Sequence, residues 1–416
     1  MDDSKPTSKV LSEVLTQPIT DRCESESAME PLVLSSGYRH REHLNDLALE
    51  LAALSTGFRK SIPPAFVRAL AVLVRSMNCY YSNLIEGHDT HPVDIERALK
   101  KDYSSDPSKR NLQFEAEAHI SVQSWIDDGG LAGKALKVES VLEVHKRFCD
   151  LLPDELLWVE SLETGERIKV VPGGLREQDV AVGKHIPVSP GALPRFLKRY
   201  EIGYQALGKS ESIIATAAAH HRLLWIHPFL DGNGRVARLI SYALLLDLLD
   251  TGGIWSIARG LARNQDRYKM HLMKCDNPRS GDLDGRGPLS EEALGAFTEF
   301  FLRSCIDQVN FMSSLVRPDL LRSRVLGWAK EETLKGCLPP RASAVLESLL
   351  LLGELPRGDI PSILNSSSAT ARRVISALSD YGIVVSESSR ASLKLAFPAS
   401  LASAWLPDLF PEWKPS

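Results

Sequence analysis

Two long apolar stretches, residues 212–225 and 235–249, are joined by little more than one turn of chain, and this junction constrains the fold more than any other feature. It reads His227-Pro228-Phe229-Leu230-Asp231-Gly232-Asn233-Gly234 and runs directly into Arg235-Val236-Ala237-Arg238. Both stretches read as long helices, so the junction is an interhelical loop. Upstream, Leu44, Leu47, Leu49, Leu51 and Leu54, then Phe66, Leu70 and Leu73, recur mostly at three- and four-residue steps, the mark of buried helical faces. The helical pattern continues through residues 112–125 and 135–152. It gives way over 166–190, where Ile168, Val170, Val171, a Gly173-Gly174 pair, Val180 and Val182 suggest a short β-hairpin. Helical patterns return at 291–311 and 316–335.

The loop's residue types suit anion chemistry. Gly232 and Gly234 let the backbone approach a ligand closely, just where a helix N-terminus offers unpaired N–H groups. Arg235 and Arg238, three residues apart, can clamp neighbouring phosphates with their planar forks. Asp231 at the loop mouth can hold Mg²⁺ through oxygen. His227, set just outside the preceding helix by Pro228, has the chemistry to take a proton from an attacking hydroxyl. Together these parts describe a phosphoryl- or nucleotidyl-transfer site.

At every defined position, His227 to Arg238 resembles the HPFx[D/E]GNGRxxR motif of the Fic family. The resemblance implies a mainly α fold, an all-helical Fic core bearing a β-hairpin flap, and a protein adenylyltransferase. Such an enzyme transfers AMP from ATP, with Mg²⁺, to a Ser, Thr or Tyr hydroxyl of a target protein or of itself, releasing pyrophosphate. It makes His227 the general base, Asp231 the Mg²⁺ ligand and Asn233 an α-phosphate contact. Gly232 and Gly234 become the anion nest, and Arg235 and Arg238 bind the outer phosphates. Gly234 favours AMP transfer, because the phosphorylating branch of the family has Lys there.

Ser82-Asn83-Leu84-Ile85-Glu86-Gly87 is similar to the inhibitory [S/T]xxxE[G/N] signature of the autoregulated Fic class. By that resemblance Ser82, Glu86 and Gly87 belong to an inhibitory helix at about 75–88, and Glu86 takes the Arg238 fork needed by the γ-phosphate. Some members also use this glutamate to remove AMP. Val180, Val182 and His185 fall where the family has its target-binding flap, and Asn264 and Tyr268 where it lines the adenosine pocket.

The chain divides into a flexible arm (1–40), the Fic domain with its helical extension (41–312), a helical linker (313–340) and a C-terminal unit (341–416). In the last, Val345, Leu346, Leu349 and Leu350 mark a first helix and 359–364 a second. Ser366-Ser367-Ser368 caps a third, and two short apolar runs follow at 383–385 and 393–397. This order resembles a winged helix-turn-helix module. Arg372, Arg373 and Arg390 suit phosphate contacts, but with 49 Lys and Arg against 53 Asp and Glu the chain has no global basic field, so protein docking or a homodimer is preferred to DNA.

The remaining features exclude several classes. No apolar run near the motif approaches bilayer length, which argues against membrane insertion. Six scattered cysteines without a CxxC pair read as thiols of a reducing cytoplasmic setting. Two other readings stay open at this point: a winged-helix regulator whose Fic core only senses nucleotide, and a Fic enzyme using another donor, such as UMP or phosphocholine.

Overall fold

Pro63 and Pro64 set the frame of the N-terminal half. Helix α1 (Arg41–Ser61) stops at Ile62, and α2 (Pro64–Ile85) begins with a proline in its first turn, where a missing N–H costs nothing. The computed structural model describes residues 19–160 and 165–410. After α2 come α3 (Pro92–Leu99), α4 (Pro107–Asp127) and α5 (Val138–Cys149). Asp106 caps α4 by accepting the Ser108 N–H at 2.9 Å.

A two-stranded antiparallel hairpin interrupts the helices. Its strands are β1 (Trp158–Glu160) and β2 (Arg167–Lys169), with Val159 opposite Ile168. Helices α6 (Leu193–Gly203), α7 (Lys209–Ile226) and α8 (Asn233–Leu249) follow. Next are α9 (Ala258–Arg263), α10 (Gln265–Cys275), α11 (Glu291–Leu315) and α12 (Pro318–Leu334). Helices α7 and α8 pack on each other more extensively than any other pair, and α1 and α11 close over α7. Nearly every side chain of α7 from Ile213 to Ile226 is buried, so this helix is the axis of the core.

The C-terminal unit contains α13 (Ala342–Leu352), β3 (Glu354–Leu355), α14 (Ile360–Ile363), α15 (Ser368–Asp380), β4 (Val384–Val385), β5 (Leu393–Leu395) and α16 (Ala402–Trp405). Its antiparallel sheet has the order β3-β5-β4. Ser367 caps α15 by accepting the Thr370 N–H, while Arg372, Arg373 and Arg390 are exposed. Among the described residues, no helix is long and apolar enough to cross a membrane.

Two expectations change. Ile168 and its neighbours do pair as a strand, but with residues 158–160 rather than with Val180 and Val182. Val182 and His185 instead bond to each other across a tight turn whose Gly183 has φ 61°, a left-handed value that suits glycine. The arm is also not loose throughout. Residues 1–18 lie outside the described residues, but Met29, Leu32, Leu34 and Tyr38 are buried. Arg195 pairs with Asp21, and Glu24 accepts from both the amide and the hydroxyl of Ser189. These four anchors stand three, two and four residues apart, so their burial follows neither the helical nor the strand period.

Candidate active site

The loop between α7 and α8 is held rigid by its own residues. His227 ends α7 in a left-handed conformation, φ 52° and ψ 62°, which a non-glycine residue keeps only under local constraint. Phe229, fully buried, anchors the loop. Asn233 clips it shut: its side-chain oxygen accepts the Phe229 N–H at 3.0 Å, and its amide nitrogen donates to the Phe229 carbonyl at 2.8 Å. The Asn233 side chain is therefore a staple of the loop. Gly232, φ 80°, precedes α8, whose first outgoing bond runs from Val236 N–H to the Gly232 carbonyl. The amides of Asn233, Gly234 and Arg235 thus head the helix, ahead of its first intrahelical bond.

His227 presents an uncharged imidazole to the loop. Its Nδ1 lies 3.3 Å from the Leu224 carbonyl, an assignment that puts the proton on Nδ1 and leaves Nε2 as the acceptor. Burial lowers its pKa to about 4, so the imidazole is neutral at physiological pH.

Behind the loop, His145 on α5 stacks on Phe229 with ring centroids 3.8 Å apart and planes within 5°. Its Nδ1 accepts the Gly173 N–H at 2.9 Å, which joins the loop after the β1–β2 hairpin to the motif. Arg176 makes the second join. It is buried, its amide donates to the Pro228 carbonyl at 2.9 Å, and its Nε donates to the His227 carbonyl at 2.8 Å. Its remaining nitrogens donate to the Gln178 and Val188 carbonyls.

The two arginines sit differently. Arg235 pairs with Asp231 at 2.9 Å and with Glu115 of α4 at 3.1 Å; Glu115 also binds His88 at 2.7 Å. Asp231 is half exposed, and its contact with Arg235 is made by Oδ2. Arg238 is buried against the end of α2, with Nε donating to the Ser82 hydroxyl at 2.8 Å and Nη2 donating to the Ser82 carbonyl and to Glu86 Oε1. Burial alone would raise the Glu86 pKa; Arg238, then Arg235 and His88, outweigh it and hold the carboxylate charged.

Glu86 caps α2, and Gly87 follows with φ 91°. The His88 N–H bonds the Asn83 carbonyl and the Gly87 N–H the Leu84 carbonyl, the pattern of a Schellman end. The segment is thus a helix C-cap and an arginine clamp at once, and its helix starts at Pro64, well before residue 75. A Cβ on Gly234 would run into the Glu86 carboxylate, so the absence of a side chain there is what admits it.

The remaining expected residues have other surroundings. Tyr268 is buried, and its hydroxyl bonds His220 at 2.6 Å, behind Arg238 rather than on an open wall. Asn264 donates to the Gly260 carbonyl at the end of α9. His185 bonds the Trp225 carbonyl at 2.7 Å, while Val182 is exposed. A groove of about 220 Å³ lies between β2 and Leu230, lined also by Leu175 and Glu177. Among the described residues, no group of three or more His, Cys, Asp or Glu could hold a metal unaided.

Sequence reasoning missed Glu115, His145 and Arg176 as site residues. One signal was available for the first: Glu115, His119 and Gln123 recur every four residues as a buried polar stripe on α4.

Residues 135–245, which include α5, the hairpin, α7, the loop and α8 as far as Leu245, match the Fic/DOC family. The chain contains a Fic domain. Glu115 on α4, and Ser82 and Glu86 at the end of α2, lie outside this segment. The chain is 33% identical over 169 residues to the protein adenylyltransferase Fic of Drosophila erecta, and 34% identical over 169 residues to that of Drosophila mojavensis. Each match covers 40% of this chain and 31% of the relative, so the chain spans about a third of the curated relatives it matches. The fold is similar to that of a Fic family protein from Desulfovibrio desulfuricans G20, with TM-score 0.52 and 15% identity, over 88% of this chain and 98% of that one.

Proposed function

We propose that this protein is an adenylyltransferase that moves AMP from ATP to a protein hydroxyl and is held off by Glu86. The observation that carries the reading is the state of Arg238: its fork is occupied by Ser82 and Glu86 while the base, the nest and Asp231 around it are assembled. A buried arginine already paired with a carboxylate receives a phosphate only if that carboxylate leaves.

In the proposed reaction the target hydroxyl attacks the α-phosphorus of ATP and gives its proton to His227 Nε2. The bond from the α-phosphorus to the β-phosphate's bridging oxygen breaks, and pyrophosphate leaves with the electron pair. The amides of Asn233, Gly234 and Arg235 face the phosphates, and Arg235 and a freed Arg238 bind the outer ones. Asp231 fits magnesium, since a lone half-exposed carboxylate beside a phosphate nest suits an ion that shares its shell with nucleotide oxygens; when bound, the ion offsets phosphate charge. The groove between β2 and Leu230 is where we place the target segment.

We read residues 341–410 as winged-helix-like, on the order of three helices followed by β4 and β5. The test of reaction type uses the Glu86→Gly variant with α- and γ-labelled ATP. Transfer of the α-label alone, abolished by His227→Ala, supports AMP transfer; transfer of the γ-label would show kinase chemistry instead.

A further inference from the structure

Helix α2 is gripped from two sides. Asn78, Ser82 and Glu86, at four-residue steps, form the stripe that faces the Fic core. Asn78 bonds Gln123 and Ser256 at 2.7 Å each, and Ser82 and Glu86 hold Arg238. The adjacent stripe, one residue away, faces the segment that follows β5. There Tyr81 donates its hydroxyl to the Leu409 carbonyl at 3.1 Å, and Tyr80 meets Phe410 edge-on at 5.8 Å. Near the start of α2, Phe66 packs on Phe397 at 6.1 Å.

A second anchor fixes the same segment. Arg259 of α9 is buried, with its guanidinium 3.5 Å over the Phe311 ring, and it donates to the Asp408 carbonyl at 3.1 Å. Leu409 itself is fully buried, as is Trp405, which packs edge-on against Trp328 of α12. If residues 397–410 lift away, Tyr81 loses the acceptor of its hydroxyl and Arg259 one of its acceptors, which frees the end of α2 to move. Tyr81 is the neighbour of Ser82, so any such movement is passed directly to the turn that holds Arg238.

From this geometry we infer that the C-terminal unit controls the brake. Residues 397–410, docked on α2, keep Glu86 on Arg238; a ligand that favours the undocked unit releases it by its differential affinity for the two states. The inference rests on reading Glu86 as inhibitory and adds where the release signal enters.

The test uses the full chain. Leu409→Asp puts a charge where none can stay buried, and Tyr81→Phe removes one hydrogen bond while keeping the ring. Amide hydrogen exchange over 398–410 reports undocking, exchange over 80–88 reports the end of α2, and labelling from α-labelled ATP reports the brake. For Leu409→Asp we expect faster exchange in both segments and labelling raised about fivefold or more. Tyr81→Phe gives a smaller rise, and neither change adds to labelling in the Glu86→Gly background. Undocking without increased labelling, with Glu86→Gly active, overturns the control by the C-terminal unit alone. Unchanged exchange over 398–410 in both variants overturns the claim that these contacts hold the segment. An unlabelled Glu86→Gly variant removes the brake itself, and this inference with it.

Discussion

Gly234 and Glu86 occupy one space: a Cβ on Gly234 would overlap the Glu86 carboxylate, which reaches past it to Arg238. Gly234 is helical, so an alanine there is not opposed by its own backbone and the collision is the whole objection. We expect Gly234→Ala to destabilise the protein by about 1–3 kcal/mol through overpacking. In the Glu86→Gly background the same change should cost much less. Chemical denaturation of the two single variants and the double variant measures this coupling, and additive effects would mean that the two residues do not meet.

Phe229 is the buried anchor of the loop and carries the His145 stack. Phe229→Ala should cost about 3–5 kcal/mol, as removal of a buried ring does. His145→Ala should cost less but should also free the Gly173 amide. Faster amide exchange at residues 172–176 in that variant checks the join between the hairpin's exit and the motif.

Arg176 spends its donors on backbone carbonyls, including that of His227. Arg176→Met should therefore loosen the base more than the nucleotide site. In the Glu86→Gly background we expect labelling to slow about tenfold or more with the ATP concentration dependence nearly unchanged. A change confined to that concentration dependence would point to a role in nucleotide binding instead.

Acid should unfold the protein through its buried imidazoles. Burial lowers the pKa of His119 and His220 to about 3 and that of His145 to about 4, against about 6.5 in an unfolded chain. Between those values the unfolded state binds the proton and the folded state does not. Their stability contribution is thus complete above pH 6.5 and is lost as pH falls, down to about 4 for His145 and about 3 for His119 and His220. At pH 5 each such group costs on the order of 2 kcal/mol. Denaturation midpoints measured from pH 7 to pH 4.5 should fall steadily, and His119→Gln should flatten the slope.

The chemistry of this site was legible because its parts are contiguous. Twelve consecutive residues hold the proposed base, the proposed metal carboxylate, the proposed nest and both arginines, and the helices on either side announce themselves by apolar spacing. The residues that orient those parts were not legible, because each arrives from another element. Glu115 reaches Arg235 from α4, His145 stacks from α5, and Arg176 returns from beyond the hairpin. The hairpin itself was found in the right neighbourhood with the wrong partner. Apolar residues at 168–171 and 180–182 look alike as strands, whereas the decisive fact is that Arg176 is pulled inward between them and pins the chain to His227. In the same way, the place of Asn233 in the motif suggests a ligand contact but gives no sign that its side chain also closes the loop on Phe229.

The central claim is that the site is built and blocked at one ion pair, Glu86 with Arg238. Its most direct measurement compares label taken up from α-labelled ATP and Mg²⁺ by the wild-type protein, by Glu86→Gly and by Glu86→Gly with His227→Ala. We expect Glu86→Gly to exceed the wild type by at least about tenfold, as loss of a buried competitor for the phosphate fork implies, and the double variant to stay blank. Equal labelling of wild type and Glu86→Gly would contradict the claim.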